Sequence, residues 1–387
     1  MRVLHLFKTY LPESVGGIEQ VILQICQSGI AHGMHSEVLA LSDNPCAAQI
    51  QVADHQVHLV KRDLHIASTG LSYKILPKFK QLAAQFDLIN YHFPWPMMDL
   101  LHFAAATGKP SLVTYHSDII QQKYLLKLYR PLMHRFLDSV DHIVTASPNY
   151  FATSDVLKRY RCKTSVIPYG LDKAAYPQPQ TSTLQGWQQR FGTRFFLFVG
   201  VMRYYKGLHI LLEAAKGSDY PIVIVGAGPL EQELREQAQR LRLKHVHFLG
   251  RLAEEDKVAL LQLCSAVVFP SHLRSEAFGI SLLEGAMYGK PMISSEIGTG
   301  TSYINIHGQT GLVVERSNPQ ALRAAMDQLW HNPEQAQAMG RQAEQRYWQL
   351  FTAQRMGEQN AELYRQIIAN RLNAKTALPA PPDAALR

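Results

Sequence analysis

Apolar runs of strand length alternate along the chain with longer stretches whose apolar positions return every three or four residues. In the first half the runs are RVLHLF at 2–7, EVLALS at 37–42, QVHLV at 56–60, LINYH at 88–92, SLVTYH at 111–116, HIVTAS at 142–147 and TSVIP at 164–168. Between the first two, Ile18, Val21, Ile22, Ile25 and Cys26 fall at helical spacing and predict an amphipathic helix with one buried face. Strands of this kind separated by helices predict an open parallel sheet covered by helices, an α/β fold.

The series then restarts with FFLFVGV at 195–201, PIVIVG at 221–226, VHFLG at 246–250, AVVFP at 266–270, PMISS at 291–295 and GLVVE at 311–315. The Pro- and Gln-rich stretch AAYPQPQTSTLQGW lies between the two series and places an interdomain linker near 170–185. The expected domains are two Rossmann-like units, 1–172 and 173–350, facing a cleft, then a helix over 351–372 and a disordered tail over 373–387. A chain of 387 residues is long enough for two cores.

Composition narrows the partners. The net charge is +8 and the pI about 9.2, which favours anionic ligands or surfaces. The basic residues are dispersed and build no recognised nucleic-acid module, so nucleic acid is not expected as a partner. The four cysteines form no CxxC pair and no zinc spacing, and are read as reduced structural thiols. MRVLHLF carries no signal-peptide pattern and no run approaches membrane-spanning length, so a cytoplasmic location is expected, with any membrane contact made from that side.

Ligands of open α/β sheets bind at the carboxyl ends of the strands, which directs attention to three loops. Gly16 and Gly17 follow the first strand and precede the helix at Ile18, where free amides face an anion. In FFLFVGVMRYYKG, Arg203 and Lys206 follow the first strand of the second series and offer counter-charge to a phosphate. In SEAFGISLLE, Glu276 precedes a helix beginning near Gly279 and Glu284 lies inside it. Amides of Phe278, Gly279 and Ile280 between them suit a diphosphate, and the carboxylates on either side suit hydroxyl groups. A nucleotide sugar has that layout. No Asp-x-Asp precedes a suitable loop, and no metal ligands or cofactor are expected.

The combination of GGIEQ at 16–20, VTYHSD at 113–118, VIPYGLD at 166–172, FVGVMRYYKG at 198–207, VGAGP at 225–229, HFLGRL at 247–252 and SEAFGISLLEGAMYGKP at 275–291 resembles the retaining glycosyltransferases of family 4. The resemblance runs from residue 2 to about 350. It implies the GT-B fold, with the C-terminal helix returning to the first domain. The opening MRVLHLFKTYLPESVGGIEQV and the stretch EIGTGTSYINIHGQTGL at 296–312 are most similar to bacterial mannosyltransferases of O-antigen and related polysaccharides. That likeness implies GDP-mannose as donor, a lipid-diphosphate-linked glycan as acceptor, and metal-independent transfer with retained anomeric configuration.

By position, Glu284 resembles the carboxylate that holds ribose hydroxyls, Glu276 the one near the donor sugar, and Lys206 the phosphate-binding lysine. His116 resembles the histidine that projects toward the transferred sugar, and Gly17 the glycine beside the diphosphate and acceptor. Many family members place an arginine directly after the strand glycine; here Val201 follows Gly200 and the arginine is Arg203. Gly250 and Arg251 open a further loop, GRLAEEDK, in which Glu254 and Glu255 suit either a guanine edge or helix capping. Other readings left open are a UDP-sugar donor, a GT-B epimerase or phosphorylase, and a non-catalytic nucleotide-sugar binding protein. The stretch 119–140 interleaves Lys123, Lys127, Arg130 and Arg135 with Tyr124, Leu125, Leu126, Tyr129, Leu132 and Met133, which suits either an anionic membrane surface or packing on the first domain.

Overall fold

A computed structural model describes residues 1–45, 47–66, 69–119 and 123–376. The first sheet is built from β1 (Arg2–Leu6), β2 (His35–Ser42), β3 (Gln49–Val52), β4 (His55–Lys61), β7 (Leu88–Phe93), β8 (Ser111–Tyr115), β9 (His142–Thr145) and β10 (Thr164–Val166), in spatial order β10-β9-β8-β7-β1-β2-β4-β3. A short hairpin of β5 (Leu64–Ile66) and β6 (Thr69–Leu71) stands apart. The second sheet contains β11 (Phe196–Val199), β12 (Ile222–Val225), β13 (Val246–Gly250), β14 (Ala266–Phe269), β15 (Met292–Glu296) and β16 (Gly311–Glu315), ordered β13-β12-β11-β14-β15-β16.

Every apolar run of the sequence becomes a strand, and in the two large sheets all pairings are parallel except β3 with β4. The elements not foreseen, β3 and the β5–β6 hairpin, are only three or four residues per strand, and β3 and β5 are at least half solvent-facing, so they carry too little apolar patterning to be read. In each sheet the strand order reverses once, between β1 and β7 in the first and between β11 and β14 in the second. A ligand reaches the sheet most easily between loops that diverge at such a point.

Five helices matter for the site: α1 (Gly17–Ile30), α2 (Lys123–Ser139), α3 (Thr181–Phe191), α4 (Ile280–Met287) and α5 (Ala353–Thr376). The linker is shorter than the Pro and Gln content suggests, because α3 begins at Thr181. Its N-terminus is held by Glu255, which accepts from the Gln180 amide at 2.9 Å and from Thr183 Oγ1 at 3.0 Å, and Trp187 stacks on Phe191. The chain crosses between domains twice, and the two crossings pair: Leu171 and Thr352 form a parallel bridge, with Leu171 N donating to Phe351 O and Ala353 N to Leu171 O.

Helix α5 then returns to the first domain and lies along α1. Asn90 Nδ2 on β7 donates to Tyr364 Oη at 2.8 Å, and Arg365 donates to His32 O at 2.6 Å. The helix continues past the expected end at 372 as far as Thr376; residues 377–387 of the expected tail lie outside the described residues.

Candidate active site

The loops leaving β11 and β14 meet at the switch point of the second sheet. Gly207 has φ +71°, and a Cβ there would run into the carbonyl of Pro270, so only glycine lets the two loops lie against each other. Lys206, one residue earlier, thereby forms an ion pair with Glu276 Oε2 in which each side chain is only 11% exposed. Ser271 Oγ donates to the same oxygen at 3.2 Å, and Lys206 Nζ lies 4.7 Å from the Phe269 ring centre. The structure therefore joins two residues that the sequence assigns to neighbouring parts of a ligand, and each neutralises the other. Arg203 sits at the mouth of this loop and is exposed.

Gly279 caps α4 with φ +101°, a left-handed conformation that turns the chain sharply into the helix. Leu282 N and Leu283 N donate to Gly279 O, so the amides that point out of the helix N-terminus are those before them, at its very start. Phe278, just before the cap, is buried against Tyr169, with ring centres 4.8 Å apart. Glu284 is buried in the second turn, where its Oε1 accepts from Lys257 Nζ at 2.6 Å and from Tyr176 Oη at 3.1 Å. Both bonds fall on one oxygen. Burial opposes the charge of Lys257, but Glu284 and Glu254 outweigh it and raise its pKa, so the lysine is a cation here.

Of the neighbouring acidic run, Glu254 pairs with Lys257 at 2.6 Å, Glu255 holds α3, and Asp256 accepts from Trp187 Nε1 at 2.8 Å. Gly250 has φ +71° and open space around it, and Arg251 is exposed. Tyr176 and Lys257, which orient Glu284, escape a reading of the sequence because they lie 108 and 27 residues away from it.

The loop after β1 approaches from the other domain. A Cβ on Gly17 would lie 3.6 Å from Ile280 Cγ1, so the start of α1 faces the start of α4 across the cleft. Gly16 caps α1, and a Cβ there would press on Glu19 Oε2 at 2.6 Å. Glu19 is itself fixed by Thr9 Oγ1 at 2.9 Å and Ser14 Oγ at 2.6 Å. Lys8 stands in this loop and was not foreseen; burial lowers its pKa, Glu19 opposes that, and Arg203 of the second domain adds to it. Lys8, Arg203 and Lys206 thus bring positive charge to one cleft from both sides.

His116 is buried, and each ring nitrogen has a partner: Nε2 is 2.9 Å from His92 Nδ1, and Nδ1 is 2.6 Å from Tyr169 Oη. The strand beside it supplies the second histidine, which the sequence gives no reason to single out. The contact continues from His92 Nε2 to His5 Nδ1 at 3.0 Å and from His5 Nε2 to Ser36 Oγ at 3.3 Å.

Residues 15–175 match the family described as Glycosyltransferase Family 4, and residues 184–346 match that described as Glycosyl transferases group 1. A D-rhamnosyltransferase of Pseudomonas aeruginosa is 67% identical over 353 residues, covering 91% of this chain and 93% of the relative. The O-antigen chain mannosyltransferase C of Escherichia coli is 50% identical over 371 residues, covering 96% of this chain and all of the relative. The chain belongs to the family 4 glycosyltransferases. A sucrose-phosphate synthase from Thermosynechococcus elongatus superposes with a TM-score of 0.78 at 21% identity, covering 95% of this chain and 99% of that one, and confirms the GT-B fold.

The glycosyltransferase also has direct contacts between its domains beside the cleft. Arg274 reaches from the β14 loop to Asp118 at 3.2 Å and to Thr153 Oγ1 at 2.7 Å. Thr153 Oγ1 donates to Gly298 O at 2.5 Å and Asn149 Nδ2 to Ser302 Oγ at 3.1 Å. Asp118 belongs to the VTYHSD loop and is anchored by Ser154 Oγ at 2.6 Å and Tyr115 Oη at 2.9 Å. Among the described residues, no group of three or more His, Cys, Asp and Glu side chains is placed to hold a metal ion.

Proposed function

We propose that this glycosyltransferase moves α-mannose from GDP-mannose to a lipid-diphosphate-linked glycan during O-antigen synthesis, with retention of the anomeric configuration. The observation that carries the reading is the end of α4: a helix N-terminus suited to a diphosphate, with Glu284 on one side and the Lys206–Glu276 pair on the other, facing Gly17. Glu284, held through one oxygen by Lys257 and Tyr176, keeps its other oxygen for ribose hydroxyls. Lys206 turns from Glu276 to the diphosphate, and Glu276 is released toward the donor sugar. Lys206, Arg203 and the amides leading into α4, at Phe278, Gly279 and Ile280, then stabilise the charge that develops on the leaving diphosphate. The acceptor hydroxyl attacks from the face the diphosphate leaves, and the departing phosphate takes its proton.

The E. coli relative, matched over its whole length, favours mannose. The 67% identity to a D-rhamnosyltransferase favours a second donor, the GDP-linked 6-deoxy counterpart of mannose. Metal is not needed for this chemistry, and the enzyme works at the cytoplasmic face of the membrane, where α2 meets anionic lipid.

Calorimetry with GDP-mannose, GDP-D-rhamnose, UDP-glucose and UDP-N-acetylglucosamine in EDTA tests the donor. A GDP-sugar should bind without metal, and Glu284→Ala should weaken it by about tenfold or more, the value of lost charge-assisted hydrogen bonds. Preference for a UDP-sugar would overturn the donor assignment.

A further inference from the structure

Ser36, His5, His92 and His116 occupy β2, β1, β7 and the end of β8, four neighbouring strands, so their side chains form a ladder across one face of the first sheet. Its rungs are stacked imidazoles, with centres 5.2 Å apart for His5 and His92 and 5.1 Å for His92 and His116. Phe7 closes over the last two. The far end is Tyr169, whose ring rests on Phe278 beside the cap of α4.

A neutral imidazole carries one N–H and one lone pair, so each hydrogen bond in such a ladder fixes the tautomer of the next ring. Burial lowers the pKa of all three histidines, to about 3 for His5 and His116, which keeps them neutral. Only two polarities are then available, with every ring donating toward Ser36 or every ring donating toward Tyr169. Hydroxyl donors form shorter hydrogen bonds than ring N–H donors. The 2.6 Å contact between Tyr169 and His116 Nδ1 is the shortest in the ladder, and the 3.3 Å contact at Ser36 is the longest. That gradient fits the polarity in which Tyr169 donates to His116 and the protons lie on Nε2 of each histidine.

We infer that His5 and His92 are positioning residues that hold His116 as the Nε2–H tautomer and so commit the buried Tyr169 hydroxyl to His116, fixing the tyrosine ring that packs on Phe278. Phe278 precedes the Gly279 cap, so the ladder holds the start of α4 in the position where it receives the diphosphate.

The test is 15N NMR of ring-labelled histidine in the ligand-free wild-type protein, with His116 assigned by comparison with His116→Gln. Nδ1 of His116 should resonate as an unprotonated nitrogen and Nε2 as a protonated one. The reverse assignment, or fast averaging of the two, would overturn the inference without reference to any substrate. His92→Leu should lose the single tautomer at His116 and His92→Gln, whose amide can accept from Nε2, should keep it.

The kinetic arm rests on the donor reading above. Slow hydrolysis of GDP-mannose should fall about tenfold in kcat for His92→Leu, the size of loss when a group that orients a site residue is removed, with KM within about twofold and recovery in His92→Gln. An unchanged kcat in a folded His92→Leu protein would overturn the positioning role. Absence of GDP-mannose turnover in the wild type would count against the donor alone, leaving the tautomer to decide the ladder.

Discussion

Lys206 and Glu276 illustrate what a single pair contributes before any ligand arrives. Each is nearly buried, so the lysine charge is tolerated because the carboxylate accompanies it. Lys206→Ala should lower the unfolding free energy by about 3 kcal/mol or more, since it strands Glu276 without a counter-charge. Removing both charges, as in Lys206→Met with Glu276→Leu, should cost less than the single change. Urea titration reads both values, and a single variant as stable as wild type would show that water already serves Glu276. The same pair explains why the sequence revealed Lys206 and Glu276 but not their relation. Both follow strands, where ligand-binding residues are sought, but only the contact between Gly207 and Pro270 brings the two loops together. Lys8, Tyr176 and Lys257 were illegible for a similar reason: each acquires its role from a partner distant in sequence.

The strands were legible because a buried parallel strand is an uninterrupted apolar run, and that same feature hid the ladder. His5 sits inside RVLHLF and His92 inside LINYH, where one polar residue among apolar neighbours reads as an exception rather than as part of a pattern. Only the side-by-side order of β2, β1, β7 and β8 aligns the four residues. The ladder has a consequence for these elements that needs no substrate. In the unfolded chain each histidine takes up a proton as pH falls below about 6.5, whereas in the folded state His5 and His116 do so only near pH 3. Unfolding thus absorbs protons across that window, and stability is complete above it and lost as pH falls through it. Each histidine should contribute a slope of about 1.4 kcal/mol per pH unit. Urea midpoints at pH 7, 6 and 5 should drop steeply, and His5→Asn should flatten the decline; equal midpoints at pH 7 and 5 would mean that the rings are protonated in the native state.

At the scale of the molecule, the two domains touch where Arg274 meets Asp118 and Asn149 meets Ser302, and the chain crossings pair at Leu171 and Thr352. Gly170 lies so close to the Thr352 carbonyl that a side chain there would force the crossings apart. Asp118 leads through a few residues into α2, the segment whose basic and apolar residues suggested a membrane surface. The structure narrows that surface. Met133, Phe136 and Leu137 pack into the first domain and Tyr129 Oη donates to Asp99 at 2.5 Å, while Leu125 and Leu128 are 52% and 82% exposed beside exposed Lys127 and Arg130. Residues 120–122 and the side chains of Lys123 and Tyr124 lie outside the described residues. Among the described residues, no helix is long and apolar enough to cross a bilayer, so contact through α2 would be interfacial. Two exposed leucines and two cations supply a few kcal/mol at most, at about 1 kcal/mol for each cation near an anionic surface. Binding to phosphatidylglycerol vesicles should therefore be reversible, weaken with salt, and be largely lost in Leu125→Ser with Leu128→Ser, without a change in urea midpoint because neither leucine is buried. Equal sedimentation of the variant and wild type with these vesicles, or equal binding to phosphatidylcholine, would remove α2 as the route by which a lipid-linked acceptor is brought to the cleft.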